Sequence, residues 1–315
     1  MAQTVNSFAT FNAVGNREEL ADMIYNISPE ETPFVSAIGK GKASSIFPEW
    51  QTDALAAAAN NKVEQGNQVT IAASTPTKRV GNRTQISEKT FSVTGTQEVV
   101  DKAGRKSEVA YQKAKKMMEL KRDIEFAAIN NTTAIAPAAG VAPQARGLSG
   151  WLATNNSLGA TGAAPDADTN TAPTDGTLRT FTEAMLKDVG QKCWEQGGDP
   201  TLLFIPSALR ATFSGFTGLA NKVNDVKSKA STTVATADIY VGDFGTYTVV
   251  NSRQQRARDV FLIDAKQFEL LTLRAMKTTP LAKTGDAENY MINTEWTLKS
   301  KQEAASGAIR DLQAA

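Results

Sequence analysis

Apolar residues near the start of the chain recur with the spacing of short amphipathic helices. The first stripe consists of Leu20, Met23, Ile24 and Ile27. Asn16 with Glu19 has the spacing of a capping box, and further helix starts follow at Ser28 and Thr32. Because helices this short are not stable alone, we expect residues 1–45 to form an arm that is buried against another surface.

Residues 46–100 predict strands that are joined by a long polar connection. One strand is predicted at 46–51, and another ends at Gly95. The large apolar residues between them, from 60 to 82, are Val63, Val69, Ile71 and Val80. A structureless connection of this length is uncommon inside a compact domain. We therefore expect it to extend from the subunit and to be supported by another molecule.

The strongest helical pattern spans 101–131, with Asp101 and Ser107 as candidate N-terminal caps. A helix of this length would be about 45 Å long. Between Lys102 and Arg122 the chain carries eight basic and two acidic side chains. A face with that charge cannot belong to the core.

Residues 153–177 are rich in Ala, Thr, Gly and Pro, and Leu158 is their only aliphatic side chain larger than alanine. Such a segment buries too little apolar surface to order itself. The sequence therefore predicts a mobile loop here, which is anchored by the apolar residues of 147–152 just before it.

A compact α/β region is predicted over 178–267. Its elements, in chain order, are a helix from Phe181 to Cys193, a buried strand at 201–205, a helix starting at Pro206, a hairpin at 239–250 and a strand at 260–263. This region mixes helices and strands within fewer than a hundred residues, as α/β structure does.

The chain from 268 onward predicts strands. A strand at 268–273 leads to a turn region at 278–285, and a last strand contains Ala308 and Ile309. From Tyr290 to Lys299 two sets of side chains alternate strictly, which is typical of an antiparallel strand with one buried face. The fold class predicted for the whole chain is α+β.

The composition excludes several classes of site. The 315 residues carry 34 basic and 33 acidic side chains, and a formal net charge of +1 favours no particular charged partner. The absence of histidine removes histidine-based triads and histidine-ligated metals, and the single cysteine, Cys193, excludes an intramolecular disulfide. No stretch has the roughly 18 apolar residues of a membrane span. We expect no enzymatic activity, no catalytic, metal or cofactor site, and no membrane partner.

The basic face of 102–122 has two interpretations. Clustered Lys and Arg side chains release counterions on binding nucleic acid, which favours a nucleic-acid-binding protein. Acidic residues such as Glu108 and Glu119 supply opposite charges at helical spacing, which favours a solvated or subunit-facing surface. We favour the second and treat the group as second-choice contact candidates. Its members are Arg105, Lys106, Lys113, Lys115 and Lys116.

Five stretches of the chain resemble one branch of a known family, and with the order of elements the resemblance covers nearly the whole chain. The stretches are ETPFVSAIGKGKA (31–43), EWQTD (49–53), GNRTQISEKTFSVTGT (81–96), DKAGRKSEVAYQKAKKMMELKRDIE (101–125) and LAKTGDAENYMINTEWTL (281–298). The family they resemble is the major capsid proteins of tailed bacteriophages, which have the Hong Kong 97-like fold.

The resemblance implies an N-terminal arm, an extended E-loop, a long spine helix in a peripheral (P) domain, and an α/β axial (A) domain. Carried over to this sequence, the segments are the arm 1–45, the E-loop 46–100, the P domain with its spine helix 101–152, the mobile loop 153–177, the A domain 178–267 and the C-terminal P-domain strands 268–315.

A member of this family is expected to be a structural protein of the virion, formed in the host cytoplasm during assembly. It would self-assemble as pentamers and hexamers into an icosahedral shell that encloses double-stranded DNA non-specifically and expands on maturation. The other implied partners are a separate scaffolding protein, a portal and a decoration protein. An encapsulin-like protein shell and a nucleic-acid-binding protein are the alternatives.

Contacts between copies are expected where the E-loop overlaps a neighbouring P domain. The candidate contact residues are Trp50, Arg79, Arg83, Glu88 and Lys89. The charged members of this set are expected to form ion pairs between subunits.

Overall fold

The computed structural model describes residues 31–68, 71, 73–74, 76–101, 104–216, 239–283 and 285–313. The helices predicted for 16–30 lie outside these residues. Within them, helices and strands build a four-stranded sheet, a six-stranded sheet and two short two-stranded sheets. The predicted α+β class is confirmed.

The elements of the N-terminal part, in chain order, are α1 (Pro33–Ala37), β1 (Gly39–Lys42), β2 (Glu49–Thr52), β3 (Lys78–Gly81), β4 (Gln85–Thr94), α2 (Gly95–Val99) and α3 (Glu108–Asn130). β2 and β3 form an antiparallel two-stranded sheet, and the connection 53–77 between them contributes no strand from its described residues. The two predicted strands correspond to β2 and β4, whereas β3 was not predicted and lies within the expected connection.

The spine helix α3 is shorter than its pattern predicts. It contains 23 residues, so it is about 34 Å long instead of about 45 Å. It starts at Glu108 because the Ser107 side chain caps it, accepting a hydrogen bond from the Ala110 N–H at 3.1 Å. Before the cap, Gly104 has a φ of +76°, which no helix residue adopts.

The remaining elements, in chain order, are α4 (Leu148–Trp151), β5 (Asn155–Ser157), β6 (Arg179–Thr180), α5 (Glu183–Glu195), β7 (Leu202–Pro206), α6 (Ser207–Ser214), β8 (Ile239–Gly242), β9 (Gly245–Ser252), β10 (Val260–Ile263), β11 (Phe268–Pro280), β12 (Ala287–Ser300), β13 (Gly307–Ile309) and β14 (Leu312–Gln313). The turn was predicted at 278–285, but in the structure it begins later, because β11 stays paired with β12 as far as Pro280, which lies opposite Tyr290.

The six-stranded sheet, with strand order β5-β13-β10-β7-β9-β8, lies between two apolar cores. Phe204 and Phe261 point to the core that contains the spine helix. Their chain neighbours Leu203 and Leu262 point to the other core, beside α5 and α6. Because successive strand residues face opposite sides, one sheet completes both cores.

The four-stranded sheet, with strand order β1-β11-β12-β4, joins the arm and the E-loop to the C-terminal strands. β1 pairs in parallel with β11, and β12 pairs antiparallel with β4 over ten residue pairs, from Ala287 to Trp296. Ile292, Trp296 and Leu298 are buried on the predicted face of β12, but Glu295 and Thr297 on the opposite face are buried as well, so this part of the strand is covered on both sides. Segments far apart in the sequence thus meet in one sheet.

The structure of residues 153–177 and of the C-terminal strands differs from the prediction. β5 lies within 153–177 and pairs in parallel with β13, so the C-terminal strand β13 belongs to the six-stranded sheet. The rest of 153–177 is joined to the body by polar contacts. The carboxylate of Asp311 accepts hydrogen bonds from the Gly159 and Gly176 N–H groups at 3.0 and 2.8 Å. Hydrogen bonds therefore hold this segment in place, although it buries little apolar surface.

The buried carboxylate of Glu125, in the spine helix, anchors the arm. It accepts hydrogen bonds from the N–H groups of Phe34 and Val35, each at 2.8 Å. Both donors belong to the first turn of α1, where a helix leaves its N–H groups without intrahelical partners. The Phe34 ring is then held edge-on to Phe204, with ring centroids 6.0 Å apart. One carboxylate thus positions the arm against the main core.

The buried side chain of Asn82 anchors the E-loop. Its amide nitrogen donates to the carbonyl oxygens of Arg146 and Leu298 at 2.9 and 2.7 Å. Its amide oxygen accepts from the N–H groups of Arg83 and Arg146, each at 2.9 Å. All four hydrogen-bonding positions of the amide are used, and they join β3, the 144–147 segment and β12.

We expect Glu125→Ala to lower the free energy of unfolding by about 3 kcal/mol, because two buried N–H groups lose their acceptor. Glu119→Ala, in the same helix, removes a partly exposed ion pair with Lys116 and should cost at most about 1 kcal/mol. Denaturant unfolding of unassembled subunits measures both. Equal losses in the two variants would contradict the anchoring role of Glu125.

The pH dependence of stability tests the same carboxylate. Burial raises the pKa of Glu125 above its ordinary value of 4.5, while the hydrogen bonds from Val35 and Phe34 oppose the rise. The folded state therefore binds this proton more tightly than the unfolded chain, so the contribution of Glu125 to stability grows as pH falls through the raised pKa toward 4.5. The stability of the wild type relative to Glu125→Gln, which does not titrate, should increase on acidification from neutral pH. A decrease over that range would contradict the assignment.

We expect Asn82→Asp to lower the free energy of unfolding by about 3 kcal/mol or more, because a carboxylate would face two buried carbonyl oxygens that lose their donors. Asn67→Asp makes the same change in the exposed connection and should alter stability by less than about 0.5 kcal/mol. Denaturant midpoints of the two variants give the comparison. A neutral Asn82→Asp substitution would show that the E-loop is anchored elsewhere.

Candidate subunit-contact surfaces

The connection 53–77 exposes apolar side chains to solvent. Leu55 is 99% exposed, Val63 72% and Ile71 92%. At its far end a turn joins the Asn67 N–H to the Glu64 carbonyl oxygen at 3.1 Å, with Gly66 at a φ of +87°. These side chains are exposed in the subunit, and their cover by another molecule stays a prediction.

The base of the E-loop places Arg79 and Arg83 near each other. Arg79 lies on β3 and binds Glu49 of β2, with Nε and Oε1 2.8 Å apart. The hydrogen bond from Arg79 lowers the pKa of the Glu49 carboxyl. The Arg83 guanidinium lies over the Phe47 ring, 4.3 Å from its centroid. Both arginines therefore keep defined orientations at the surface.

Trp50 packs within its own subunit. Its ring lies against Trp151 with centroids 5.8 Å apart, and the Lys299 ammonium lies 5.8 Å from its ring centroid. On the other side of Trp151 the Arg146 guanidinium is 4.9 Å from the ring centroid. This stack joins the base of the E-loop to the loops around 146–151, and a contact of Trp50 with a neighbouring subunit stays a prediction.

A groove of about 610 Å³ runs beside this base, and we call it the root groove. Its walls include four basic and two acidic side chains. One ion pair bridges β3 to the 153–177 segment, with Lys78 Nζ and Asp168 Oδ2 2.5 Å apart. Arg146 donates to the Ala167 carbonyl and to Asn170 Oδ1. Other residues of the lining are Phe47, Arg79, Arg83 and Ala136.

Glu88 and Lys89 lie further along β4, away from this groove. Lys89 pairs with Asp123 of the spine helix, with Nζ and Oδ2 2.6 Å apart. Glu88 faces solvent and has no ion pair within the described part of the chain. The intramolecular partners of Arg79 and Lys89 were not expected from the sequence, and a role of the four charged residues between subunits stays a prediction.

The second-choice basic residues do not form one surface. Arg105 pairs with Glu108, and Lys116 pairs with Glu119 at 2.8 Å. Lys106, Lys113 and Lys115 are exposed. At about 100° per residue, Lys113 and Lys115 point to opposite sides of the helix. Acidic partners at helical spacing were predicted, and two of them are in place.

The edge of the six-stranded sheet carries a further exposed apolar group. Trp194 at the end of α5 is 60% exposed and lies against Phe244, with ring centroids 5.9 Å apart. Ile239 and Val241 on β8 are also exposed. Sequence patterns did not point to these residues, although an aromatic side chain next to the buried stripe of α5 was a usable signal.

No cluster of metal-ligating side chains occurs among the described residues. Within the same ranges, no helix has the length and apolarity needed to cross a membrane. Burial raises the pKa of the Cys193 thiol to about 12, so this cysteine is protonated at neutral pH. At the base of the E-loop, the side chains form ion pairs and contacts between rings.

Sequence reasoning missed the residues that build the E-loop base. Asn82 and Arg146 are single polar residues that are hydrogen-bonded to each other across 64 positions of the chain. The signal available for Arg146 was its place beside the anchored segment 147–152. Asp168 was included only in a loop expected to be mobile.

The SU10 major capsid protein family model matches residues 3–313. The chain is 26% identical to the major capsid protein of Escherichia phage Phieco32, over 96% of each chain. Its fold is similar to a solved chain of the Cyanophage A-1(L) capsid asymmetric unit, with a TM-score of 0.67 and 13% identity over 96% of this chain and 98% of that one.

The encapsulin alternative is supported by fold alone. A chain of the SrpI encapsulin complex from Synechococcus elongatus PCC 7942 has a TM-score of 0.57 and 8% identity, covering 95% of this chain and 92% of that one. Likeness at this identity extends to the Hong Kong 97-like architecture, whereas the family match covers almost the whole sequence. With this fold and this family match, the chain belongs to the SU10 major capsid protein family.

Proposed function

We propose that this protein is the shell-forming subunit of a phage virion and acts by assembly, without enzymatic activity. Pentamers and hexamers of the chain would close an icosahedral shell around double-stranded DNA. The observation that carries the proposal is the exposed connection 53–77, in which the described side chains of Leu55, Val63 and Ile71 are largely open to solvent. A repeated neighbour would cover them in every copy.

The proposed assembly repeats several weak contacts: the E-loop over a neighbouring P domain, the arm along the spine, and A domain against A domain. Each contact alone is small, and a closed shell combines them through multivalency. The hydrogen bonds at the base of the E-loop support this division, because the described residues of 53–77 remain exposed beyond them.

Expansion on maturation, a separate scaffolding protein, a portal, a decoration protein and assembly in the host cytoplasm belong to the same proposal. Non-specific contact with packaged DNA would use exposed lysines such as Lys106, which precedes the spine helix, and Lys113, which lies on it. Such contacts would weaken with added salt, since phosphate neutralisation releases counterions.

We expect the purified full chain to form closed particles or discrete rings, as seen by light scattering and negative-stain imaging. Leu55→Ser combined with Ile71→Ser should raise the protein concentration needed for assembly at least about tenfold, because burial of two large apolar side chains is lost. Ile135→Ser with Val141→Ser, at exposed apolar positions outside the connection, is the matched control.

Thermal melting by circular dichroism should be unchanged in both double variants. Wild-type chain that stays a folded monomer at every concentration, with and without co-expressed phage assembly proteins, would contradict the shell function. Equal loss of assembly in both double variants would contradict the role of the connection.

A further inference from the structure

We propose that the root groove binds a phosphate group between the guanidinium groups of Arg83 and Arg146. Four basic and two acidic side chains line the groove, which leaves an excess of two positive charges. The ligand binds within one subunit, so the proposal goes beyond shell formation and does not depend on it.

Arg146 is a buried cation that has no carboxylate in contact with it within the described part of the chain. The residue is 4% exposed. Its guanidinium donates to the Ala167 carbonyl oxygen at 2.9 Å and to Asn170 Oδ1 at 2.8 Å, and both acceptors are neutral. Burial lowers the pKa of Arg146, while the charges of Asp166 and Asp168 oppose this without a hydrogen bond to the guanidinium. Because a buried charge is costly unless an opposite charge pairs with it, an anion beside Arg146 stabilises the site.

Arg83 provides the second guanidinium. It lies over the Phe47 ring, 4.3 Å from the ring centroid, and forms no ion pair with any residue that the structure describes. The backbone N–H groups of Arg83 and Arg146 both donate to Asn82 Oδ1, each at 2.9 Å. The two arginines therefore start from one point of the fold, and both line the root groove.

The other two cations of the groove have carboxylate partners. Arg79 Nε lies 2.8 Å from Glu49 Oε1. Lys78 Nζ lies 2.5 Å from Asp168 Oδ2, and more than half of the Asp168 side chain is exposed. The two carboxylates repel a long polyanion laid across the groove, because like charges brought together at an interface are unfavourable. The lining therefore favours a compact anion over a nucleic-acid strand.

A phosphate group suits two guanidinium groups better than a carboxylate does. Each guanidinium presents its N–H donors as a planar fork, which two oxygen atoms of an anion satisfy. A carboxylate has two oxygen atoms, and one fork uses both. A phosphate group has oxygen atoms for both forks, and its charge of about −2 at neutral pH matches the excess of two positive charges in the groove.

Isothermal titration calorimetry tests the site, with sodium pyrophosphate added to dilute, unassembled full-length subunits at fixed ionic strength. Arg83→Gln should raise the dissociation constant at least about tenfold, because one of the two charge-assisted contacts is lost. Arg253→Gln removes an exposed arginine outside the groove and is the matched control, with an unchanged dissociation constant. Equal affinities in the wild type and Arg83→Gln, or no binding by the wild type, would overturn the proposal.

Competition with a short DNA duplex distinguishes the two sources of phosphate. We expect the duplex to leave pyrophosphate binding to the wild type unchanged, since the groove carboxylates oppose an extended polyanion. Displacement of pyrophosphate by the duplex would show that the groove takes nucleic-acid phosphates and would rule out the compact ligand.

Thermal melting gives a second readout and checks folding. A ligand that binds only the folded state raises its melting temperature. Pyrophosphate should therefore raise the melting temperature of the wild type and of Arg253→Gln, and leave that of Arg83→Gln nearly unchanged. All three proteins should melt alike without pyrophosphate, as followed by circular dichroism. An equal rise in all three proteins would place the binding site elsewhere on the chain.

Discussion

The four hydrogen bonds of the buried Asn82 amide are the contact on which the rest of the molecule depends. They hold the base of the projecting E-loop to Arg146 and to Leu298, beside the pairing of β4 with β12. Glu125 does the same for the arm with one carboxylate and two backbone N–H groups. A buried polar group whose hydrogen bonds are all formed fixes the orientation of the chain segments that it joins as well as their position. The subunit can therefore present long segments to its neighbours in a defined orientation.

The six-stranded sheet gives these anchors a common frame. Its two faces complete both apolar cores, so the spine helix and the α5–α6 region are not independent units. The C-terminal strand β13 inserts next to β10 and closes the sheet against β5. Polar contacts of Asp311 then hold part of 153–177 against the same edge. The core is thus central, and the contacts proposed between copies belong to the segments that project from it.

Local sequence patterns predicted the elements whose partners are close in the chain or whose periodicity is strong. The four-residue repeat ending at Cys193, the hairpin at 239–250 and the alternation in β12 all have matching elements. The three-residue strand β5 has no such pattern, because its polar residues depend on pairing with β13 far along the chain. The roles of Asn82 and Glu125 depend on partners 64 to 216 and about 90 positions away, which no periodicity encodes. The predicted helix started at 101 because Asp101 and Ser107 are both candidate caps, whereas the structure uses Ser107 and begins at Glu108.

The central claim is that the projecting segments are fixed at their bases within each subunit and are covered at their ends by neighbours. Hydrogen–deuterium exchange, compared between unassembled subunits and closed particles, measures this directly. The account predicts slow exchange at the N–H groups of Phe34, Val35 and Arg83 in both states, and protection of 53–77 only in particles. Equal protection of 53–77 in isolated subunits, or fast exchange at the three anchoring N–H groups, would contradict it.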